Sequence, residues 1–120
     1  RGNHIFELDL LSGERSGRVI LSGKACALWL LRRIEGIRGF DDAVVFGGYL
    51  MNMDKGPVHI YKRKSVDQWE VVYTFERGVI NHVHAIVADP YRDCLWAFTG
   101  DFDEASAIWR ITDNFKGWNG

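Results

Sequence analysis

The chain contains the same order of strands and turns twice. Residues 44–48 are matched by residues 95–100, and residues 60–63 by residues 108–111, and each copy then continues into a polar turn and a tryptophan. Matching isoleucines in the two copies are 48 residues apart. A period of about 40 to 50 residues is typical of the four-stranded blades of β-propellers, so the repeat predicts that architecture.

The segments between the turns have the composition of strands. Short runs rich in Val, Ile, Tyr, Phe and Trp are separated by glycine-containing turns, and the chain has only 2 prolines, which is typical of all-β proteins. The predicted strands are residues 3–10, 17–21, 25–34, 43–48, 58–62, 69–75, 83–88, 94–99 and 107–111. A helix is a competing prediction only for residues 25–34, because Ala, Leu and Arg there favour a helix.

We therefore predict an all-β chain that is a fragment of a β-propeller, with about two and a half four-stranded antiparallel blades. Residues 3–22 are predicted to be the last two strands of one blade, residues 24–75 a second blade and residues 80–120 a third, incomplete blade. Because an open blade exposes apolar faces and strand edges, we expect the chain to need additional blades or to self-associate. A self-contained β-sandwich or small barrel is the competing architecture.

Two polar turns that precede a tryptophan are similar to each other. In residues 111–118, Asp113 and Trp118 have the spacing of the pattern Ser-x-Asp-x-Gly-x-Thr-Trp, and residues 65–69, which contain Ser65, Asp67 and Trp69, form a shortened version. The longer segment departs from the pattern at Ile111, Phe115 and Gly117. With these degenerate Asp boxes, the chain resembles the BNR or Asp-box repeats of sialidase-like β-propellers.

The resemblance implies a structural role for the box residues. An aspartate can bind backbone N–H groups of its own turn, and a tryptophan can cover the hairpin while its indole N–H finds a partner. We therefore assign Asp67, Trp69, Asp113 and Trp118 to the fold and not to catalysis. Sialidases also use an arginine cluster, a tyrosine activated by a glutamate, and an acidic aspartate, and none of these can be assigned here. The resemblance favours a secreted or cell-surface protein, while the residues themselves do not determine the compartment.

The blade prediction sorts the polar residues onto two opposite ends of the sheets. Connections from first to second and from third to fourth strand share one end, which holds the Asp boxes and the turn at residues 89–93. The other end holds the remaining connections, and ligands commonly bind there in propellers. The candidate ligand-binding residues at that end are Asn81, His82, His84, Asp101 and Asp103, with Tyr49 as a further residue that could line it.

The two neighbouring histidines carry the chemistry of this candidate site. In an extended segment, His82 and His84 point to the same side. Two imidazoles could bind a metal, share a proton, or hydrogen-bond an anionic or sugar ligand, and Asp101 or Asp103 could add a carboxylate. Backbone carbonyls between blades could also satisfy these histidines, so no metal is assigned and no cofactor is implied.

Composition excludes several other classes of function. The formal net charge is -1, which provides no field for steering nucleic acid, so no nucleic-acid partner is expected. The longest apolar run, residues 25–31, is followed by two arginines and is shorter than the roughly 18 residues of a membrane span. Cys26 and Cys94 lack the spacing of a zinc site and are interpreted as buried free thiols, although whether they meet is open.

Three functions remain as alternatives. The leading prediction is a sialidase-like propeller module with a ligand-binding end, for which carbohydrate is the partner class that the resemblance implies. The second is a glycoside hydrolase that uses carboxylates at the same end as acid and base or nucleophile. The third is a non-catalytic scaffold whose loops bind another protein.

Overall fold

A computed structural model describes residues 4–16, 19–20 and 31–120 of the chain. The described residues form ten strands and one short 3-10 helix, Asp103–Ala105, and contain no α-helix. In chain order the strands are β1 (His4–Ile5), β2 (Val19–Ile20), β3 (Arg32–Ile34), β4 (Ala43–Gly47), β5 (Val58–Ser65), β6 (Gln68–Phe75), β7 (His82–Asp89), β8 (Cys94–Gly100), β9 (Ala107–Thr112) and β10 (Gly117–Asn119).

The strands form two four-stranded antiparallel sheets and one hairpin. The first sheet has the order β3-β4-β5-β6 and the second the order β10-β9-β8-β7, so each strand pairs with its neighbour in sequence. Strands β1 and β2 pair separately. The prediction of an all-β chain with four-stranded antiparallel sheets is confirmed.

Strand bounds in the two four-stranded sheets agree with the sequence pattern except near turns. The strand predicted for residues 3–10 is wrong beyond β1, because Leu8 forms only an isolated bridge to Arg15 and the Asp9 carboxylate accepts from N–H groups of the following turn. Strand β5 continues to Ser65, three residues beyond its predicted end, because its last residues pair with the start of β6. Strand β10 was not among the predicted strands and pairs with β9 through three residues. For residues 25–34 a helix was the prediction that competed with a strand. Within this segment Arg32–Ile34 is strand, and residues 25–30 lie outside the described part.

The apolar core lies between the two four-stranded sheets. Its most buried side chains come from both sheets: Ile34, Val45, Ile60, Phe75, Val83, Ile86, Leu95 and Ile111. Full burial of one such side chain contributes about 1.5–3 kcal/mol. The sheets approach each other closely at Gly47, where a Cβ atom would lie 2.4 Å from the Val83 Cβ, and the Val83 N–H donates to the Gly48 carbonyl at 2.9 Å.

The opposite face of the first sheet packs against the hairpin. Phe46 and Tyr61 stack with ring centroids 5.0 Å apart and contact Ile5 of β1, with Trp69 at the edge of this cluster. Glu7, which follows β1, bonds the Arg63 guanidinium at 2.8 Å. The first sheet is therefore covered on both faces, by the hairpin and by the second sheet.

The two box tryptophans occupy equivalent places in their sheets. Trp69 faces the hairpin and contacts Phe46, with ring centroids 5.4 Å apart. Trp118 faces the first sheet and stacks on Tyr73 at 3.8 Å. Trp118 thus packs against the preceding sheet, and Trp69 borders the cluster in which Ile5 of the hairpin meets Phe46 and Tyr61.

Hydrogen bonding at the boxes differs from the predicted arrangement. The Trp118 indole N–H donates to the Phe115 carbonyl at 2.7 Å, as expected, but the buried Trp69 indole nitrogen has no partner among the described residues. Asp67 is bound by a residue outside its turn, because its backbone N–H donates to the Glu7 carboxylate at 2.9 Å. At the longer box the bonding side chain is Asn114 and not Asp113: Asn114 accepts from the Asp41 N–H of the first sheet at 2.8 Å.

An aspartate does organise its own turn at a different place, between β7 and β8. The Asp89 carboxylate accepts from the N–H groups of Tyr91 and Arg92 at 3.1 and 3.2 Å. Its other oxygen accepts from the Trp96 indole N–H at 3.0 Å. The device expected of the Asp box, in which one aspartate joins a turn to a tryptophan, is thus built from Asp89 and Trp96.

Two smaller predictions concern the membrane and the cysteines. In the part of the chain that the structure describes, no helix is long and apolar enough to cross a membrane. Cys94 is a buried free thiol, and Cys26 lies outside the described residues.

Candidate functional site

The loops that contain the histidines, Asp101 and Asn81 meet at one end of the two sheets, which we call the histidine end. It consists of residues 48–57 after β4, residues 76–84 around the start of β7, and residues 100–106 after β8. The turns at residues 66–67, 90–93 and 113–116 lie at the other end, as the strand order requires.

His82 is anchored by the loop that follows β4. It is the first residue of β7, and its side chain is 10% exposed. Its Nδ1 lies 2.9 Å from the Leu50 carbonyl oxygen. Since a carbonyl only accepts, Nδ1 carries the proton, and Nε2 of the neutral ring is an acceptor. That Nε2 is buried, has no hydrogen-bond partner among the described residues, and lies 3.4 Å from Asp101 Oδ2.

His84 lies beside His82 and contacts the same carboxylate. Its Nε2 is 3.0 Å from Asp101 Oδ1, and the two imidazole centroids are 4.7 Å apart. The intervening Val83 points into the core between the sheets, which fixes both histidines on the opposite side of the strand. One metal-ligating atom from each of His82, His84 and Asp101 lies within 4.8 Å of the others.

Two asparagines hold the three loops together. The buried Asn52 side chain donates to the carbonyls of Gly56 and Asn81, both at 2.9 Å, and accepts from the Gly56 N–H at 2.9 Å. The Asn81 side chain in turn donates to the Asp101 carbonyl at 3.1 Å. Asn81 therefore positions the loop that carries Asp101, and this bond uses one of its two side-chain N–H donors.

Aromatic and apolar side chains border the cluster. The Tyr49 ring lies against His82 with centroids 4.5 Å apart and near His84 at 5.7 Å. Phe102, the residue after Asp101, is 62% exposed with a positive φ of 69°. Met51, next to Leu50, is also largely exposed.

The remaining candidates contribute less to this arrangement. Asp103 begins the short 3-10 helix, and its side chain lies outside the described part of the structure. Glu104 is exposed. The loop they belong to is held by Thr99, whose hydroxyl donates to the Ala105 carbonyl at 2.8 Å and accepts from the Trp109 indole N–H at 3.1 Å.

Three of the predicted site residues therefore meet, and several contributors were not predicted. The HxH spacing and the polar loop identified His82, His84 and Asp101. Asn52, the Leu50 carbonyl and Phe102 were not predicted, since their contribution depends on how residues 48–57 fold back onto β7. An asparagine followed four residues later by a glycine is the signal that could have marked the Asn52 loop.

Resolved pKa shifts lie outside this cluster. The Trp96 indole N–H, together with Arg92 and the turn N–H groups, lowers the pKa of Asp89. The N–H groups of Ser12 and Leu11 lower the pKa of Asp9 in the hairpin turn. Burial lowers the pKa of His59, whose Nδ1 lies 2.9 Å from the Thr74 hydroxyl oxygen. Asp89 and Asp9 thus act as turn-stabilising carboxylates, and His59 is a packed histidine of β5.

A cavity of about 360 Å³ lies elsewhere, between the hairpin turn and β5, and is lined in part by Glu7, Asp9 and Arg63. Three of its charged groups already bind one another or nearby backbone: Glu7 bonds Arg63, and Asp9 accepts from the Leu11 N–H. The histidine end is the stronger candidate site because its imidazoles and carboxylate converge on one point.

The fold and this cluster define an all-β protein with two packed four-stranded antiparallel sheets and a His-His-Asp group at one end. The chain has no significant match among family models, curated proteins or solved structures.

Proposed function

We propose that the chain is part of a sialidase-like BNR/Asp-box β-propeller whose histidine end binds a ligand of the carbohydrate class. The observation that carries the binding function is the convergence of His82, His84 and Asp101 at the end opposite the Asp-box turns. Imidazole and carboxylate groups can donate to and accept from sugar hydroxyls, and the exposed Phe102 offers an apolar surface beside them.

The repeated packing supports the propeller part of the proposal. Each four-stranded sheet is a meander, as a propeller blade is. Trp118 stacks on Tyr73 of the preceding sheet, and Trp69 borders the cluster that joins its sheet to the preceding hairpin, which is the relation expected between successive blades. Hydrogen bonds between successive sheets add to this, such as that from the Asn114 N–H to the Gly39 carbonyl at 2.8 Å.

A glycoside hydrolase at the same end is the second candidate function. Asp101 supports it, because its carboxylate is 56% exposed and its Oδ1 lies 3.0 Å from His84 Nε2. Hydrolysis of this type requires a second carboxyl group at a defined distance. Among the described side chains the cluster supplies Asp101 alone, so binding without turnover is the better-supported proposal.

The test is a glycan-binding screen of the purified protein and two pairs of matched variants. The site variants are His84→Gln and Asp101→Asn, and their controls are His59→Gln and Asp41→Asn, which change the same residue types outside the cluster of His82, His84 and Asp101. We expect the site variants to bind a glycan about tenfold to 100-fold more weakly, as for loss of a hydrogen bond to a charged group, and the controls to bind normally.

Labelled glycosides distinguish the two candidate functions. Release of the label that disappears in Asp101→Asn would favour the hydrolase. Glycan binding without release would favour the binding module. Absence of binding to any glycan, or binding that survives both site variants, would contradict the proposal and favour a scaffold that binds protein.

A further inference from the structure

We infer that His82, His84 and Asp101 form a binding site for a divalent transition metal of the zinc class, with Nε2 of each histidine and the Asp101 carboxylate as ligands. The inference deepens the proposed binding function, on which it rests for the ligand that would complete the site. The metal-binding step itself depends only on the geometry of these three side chains.

The contact between His82 and Asp101 is the first reason. The Leu50 carbonyl fixes the proton of the neutral His82 ring on Nδ1, so its Nε2 presents a lone pair. That lone pair is buried without a hydrogen bond and lies 3.4 Å from the oxygen of a carboxylate. Two acceptors that face each other at this distance repel unless a proton or a metal ion lies between them, and a metal ion satisfies both lone pairs.

The spacing of the ligand atoms is the second reason. Zinc binds imidazole nitrogen and carboxylate oxygen at about 2.0–2.2 Å in a tetrahedral arrangement, which separates neighbouring ligand atoms by about 3.3 Å. The Asp101 oxygens are 3.4 Å from His82 Nε2 and 3.0 Å from His84 Nε2. All three ligand atoms lie within 4.8 Å of one another, so small side-chain rotations suffice to bring them around one ion.

The surroundings have the features of a metal site beyond its ligands. A metal-binding histidine usually donates its other ring N–H to a carbonyl or carboxylate, which fixes the ring, and the bond from His82 to Leu50 does this. The Asn81 side chain holds the backbone of Asp101. Tyr49 packs against His82 and near His84. The loops thereby position the ligands before an ion arrives.

The ligand set indicates the class of metal. Two imidazoles and one carboxylate suit zinc and neighbouring transition metals, whereas calcium and magnesium prefer oxygen ligands alone. Three protein ligands leave at least one coordination position for water or another ligand. His84 and Asp101 are 39% and 56% exposed, so that position can face solvent and accept a sugar hydroxyl or carboxylate.

The experiment is a zinc titration of the chelator-treated full chain by calorimetry, with no glycan present. We expect one Zn²⁺ per chain and a rise in the melting temperature with zinc, since an ion that binds only the folded state stabilises it. His82→Gln, His84→Gln and Asp101→Asn should each weaken zinc binding at least about tenfold. His59→Gln and Asp41→Asn serve as matched controls and should bind as the unchanged chain does.

Circular dichroism of every variant shows whether a loss of binding is only a loss of folding. Co²⁺ provides a second measurement, because its visible absorption reports nitrogen and oxygen coordination and should disappear in folded His84→Gln. The inference is overturned if the folded chain binds no zinc, or if zinc binding persists in all three site variants. Glycan binding by a folded chain that binds no zinc would refute the metal site and leave the proposed function standing, whereas zinc binding without glycan binding would do the reverse.

Discussion

At the scale of single residues, Gly100 determines how closely His84 can approach Asp101. A Cβ atom at position 100 would lie 2.7 Å from His84 Nε2, well inside the van der Waals distance. The obstructing atom is the tip of a side chain and not backbone, so an added methyl group should move the imidazole and leave the strand in place. The absence of a side chain at position 100 is therefore needed for the position of the His84 ring more than for the pairing of strand β8.

We predict that Gly100→Ala displaces the His84 ring and weakens ligand or zinc binding about tenfold or more, with a small effect on stability. Urea denaturation of the single variants and of Gly100→Ala/His84→Ala tests the cause, because residues in contact show non-additive effects. Any stability cost of Gly100→Ala should disappear when the ring is absent. If Gly100→Ala lowers stability equally with and without the His84 ring, the added methyl group clashes with the backbone, and the prediction is wrong.

The sequence allowed us to predict the site residues that are near neighbours in the chain. It did not allow us to predict residues that a distant segment brings to the site. His82 and His84 are recognisable because strand geometry puts alternate residues on one side. Asp101 was recognisable as a polar residue in a loop at the same end. Asn52 was not, because it acts through a carbonyl 29 residues away, and no local pattern encodes that distance.

At the scale of elements, the turn between β7 and β8 depends on one carboxylate. Asp89 accepts hydrogen bonds from two turn N–H groups, from Arg92 and from Trp96. These donors lower the pKa of Asp89, with the Trp96 indole as the largest cause. A lowered pKa means that the folded state prefers the ionised carboxylate, so this turn stabilises the fold above the ordinary pKa of aspartate, near 3.9.

We predict that Asp89→Asn lowers the melting temperature at neutral pH, because an amide N–H₂ would face the Trp96 and Arg92 donors. The difference from the unchanged chain should shrink as the pH falls from about 4 through the pKa of folded Asp89, where the carboxylate is protonated in both states. Thermal melts between pH 3 and pH 7 measure this. Asp93→Asn, in the same turn, is the control and should melt like the unchanged chain at every pH, whereas a pH-independent effect of Asp89→Asn would contradict the prediction.

Elements were predictable from sequence where their pattern is local. The sequence predicted a turn at residues 89–93 and a strand on each side of it, which correspond to β7 and β8. From the Asp-box resemblance we predicted that Asp113 binds the backbone of its own turn. In the structure, the side chain that makes a hydrogen bond at that turn is Asn114. Strand β10 is only three residues long and contains a glycine, so its pairing depends on β9 more than on its own propensity.

At the scale of the whole molecule, the repeat gives equivalent residues different environments. Ile60 lies on the face of the first sheet that the second sheet covers, and it is completely buried. Ile108, its counterpart in the repeat, lies on the face of the second sheet that points away from the first and is 56% exposed. Val87 is also exposed on that face, where it pairs with Trp96. The outer face therefore exposes apolar side chains beside Arg110, which pairs with Trp96, and another sheet could cover them.

We predict that the chain self-associates through this outer face when no further blade covers it, since an exposed apolar sheet face favours association. Sedimentation velocity should show a mass that rises with concentration. Ile108→Lys should weaken association at least about tenfold, because association would bury an unpaired charge. Val66→Lys, at a residue 59% exposed in the turn between β5 and β6, is the matched control and should associate normally.

Substitutions at Ile60 and Ile108 distinguish an effect on stability from an effect on association. Ile60→Ala should lower the free energy of unfolding by about 2–5 kcal/mol, as expected for a buried isoleucine, while Ile108→Ala should change it little at concentrations where the chain is monomeric. A monomer at every concentration would count against the propeller proposal, because a self-contained sandwich or barrel has no face waiting for another sheet. An association that Ile108→Lys leaves unchanged would move the interface elsewhere, and the outer face would then no longer support the proposed blade stacking.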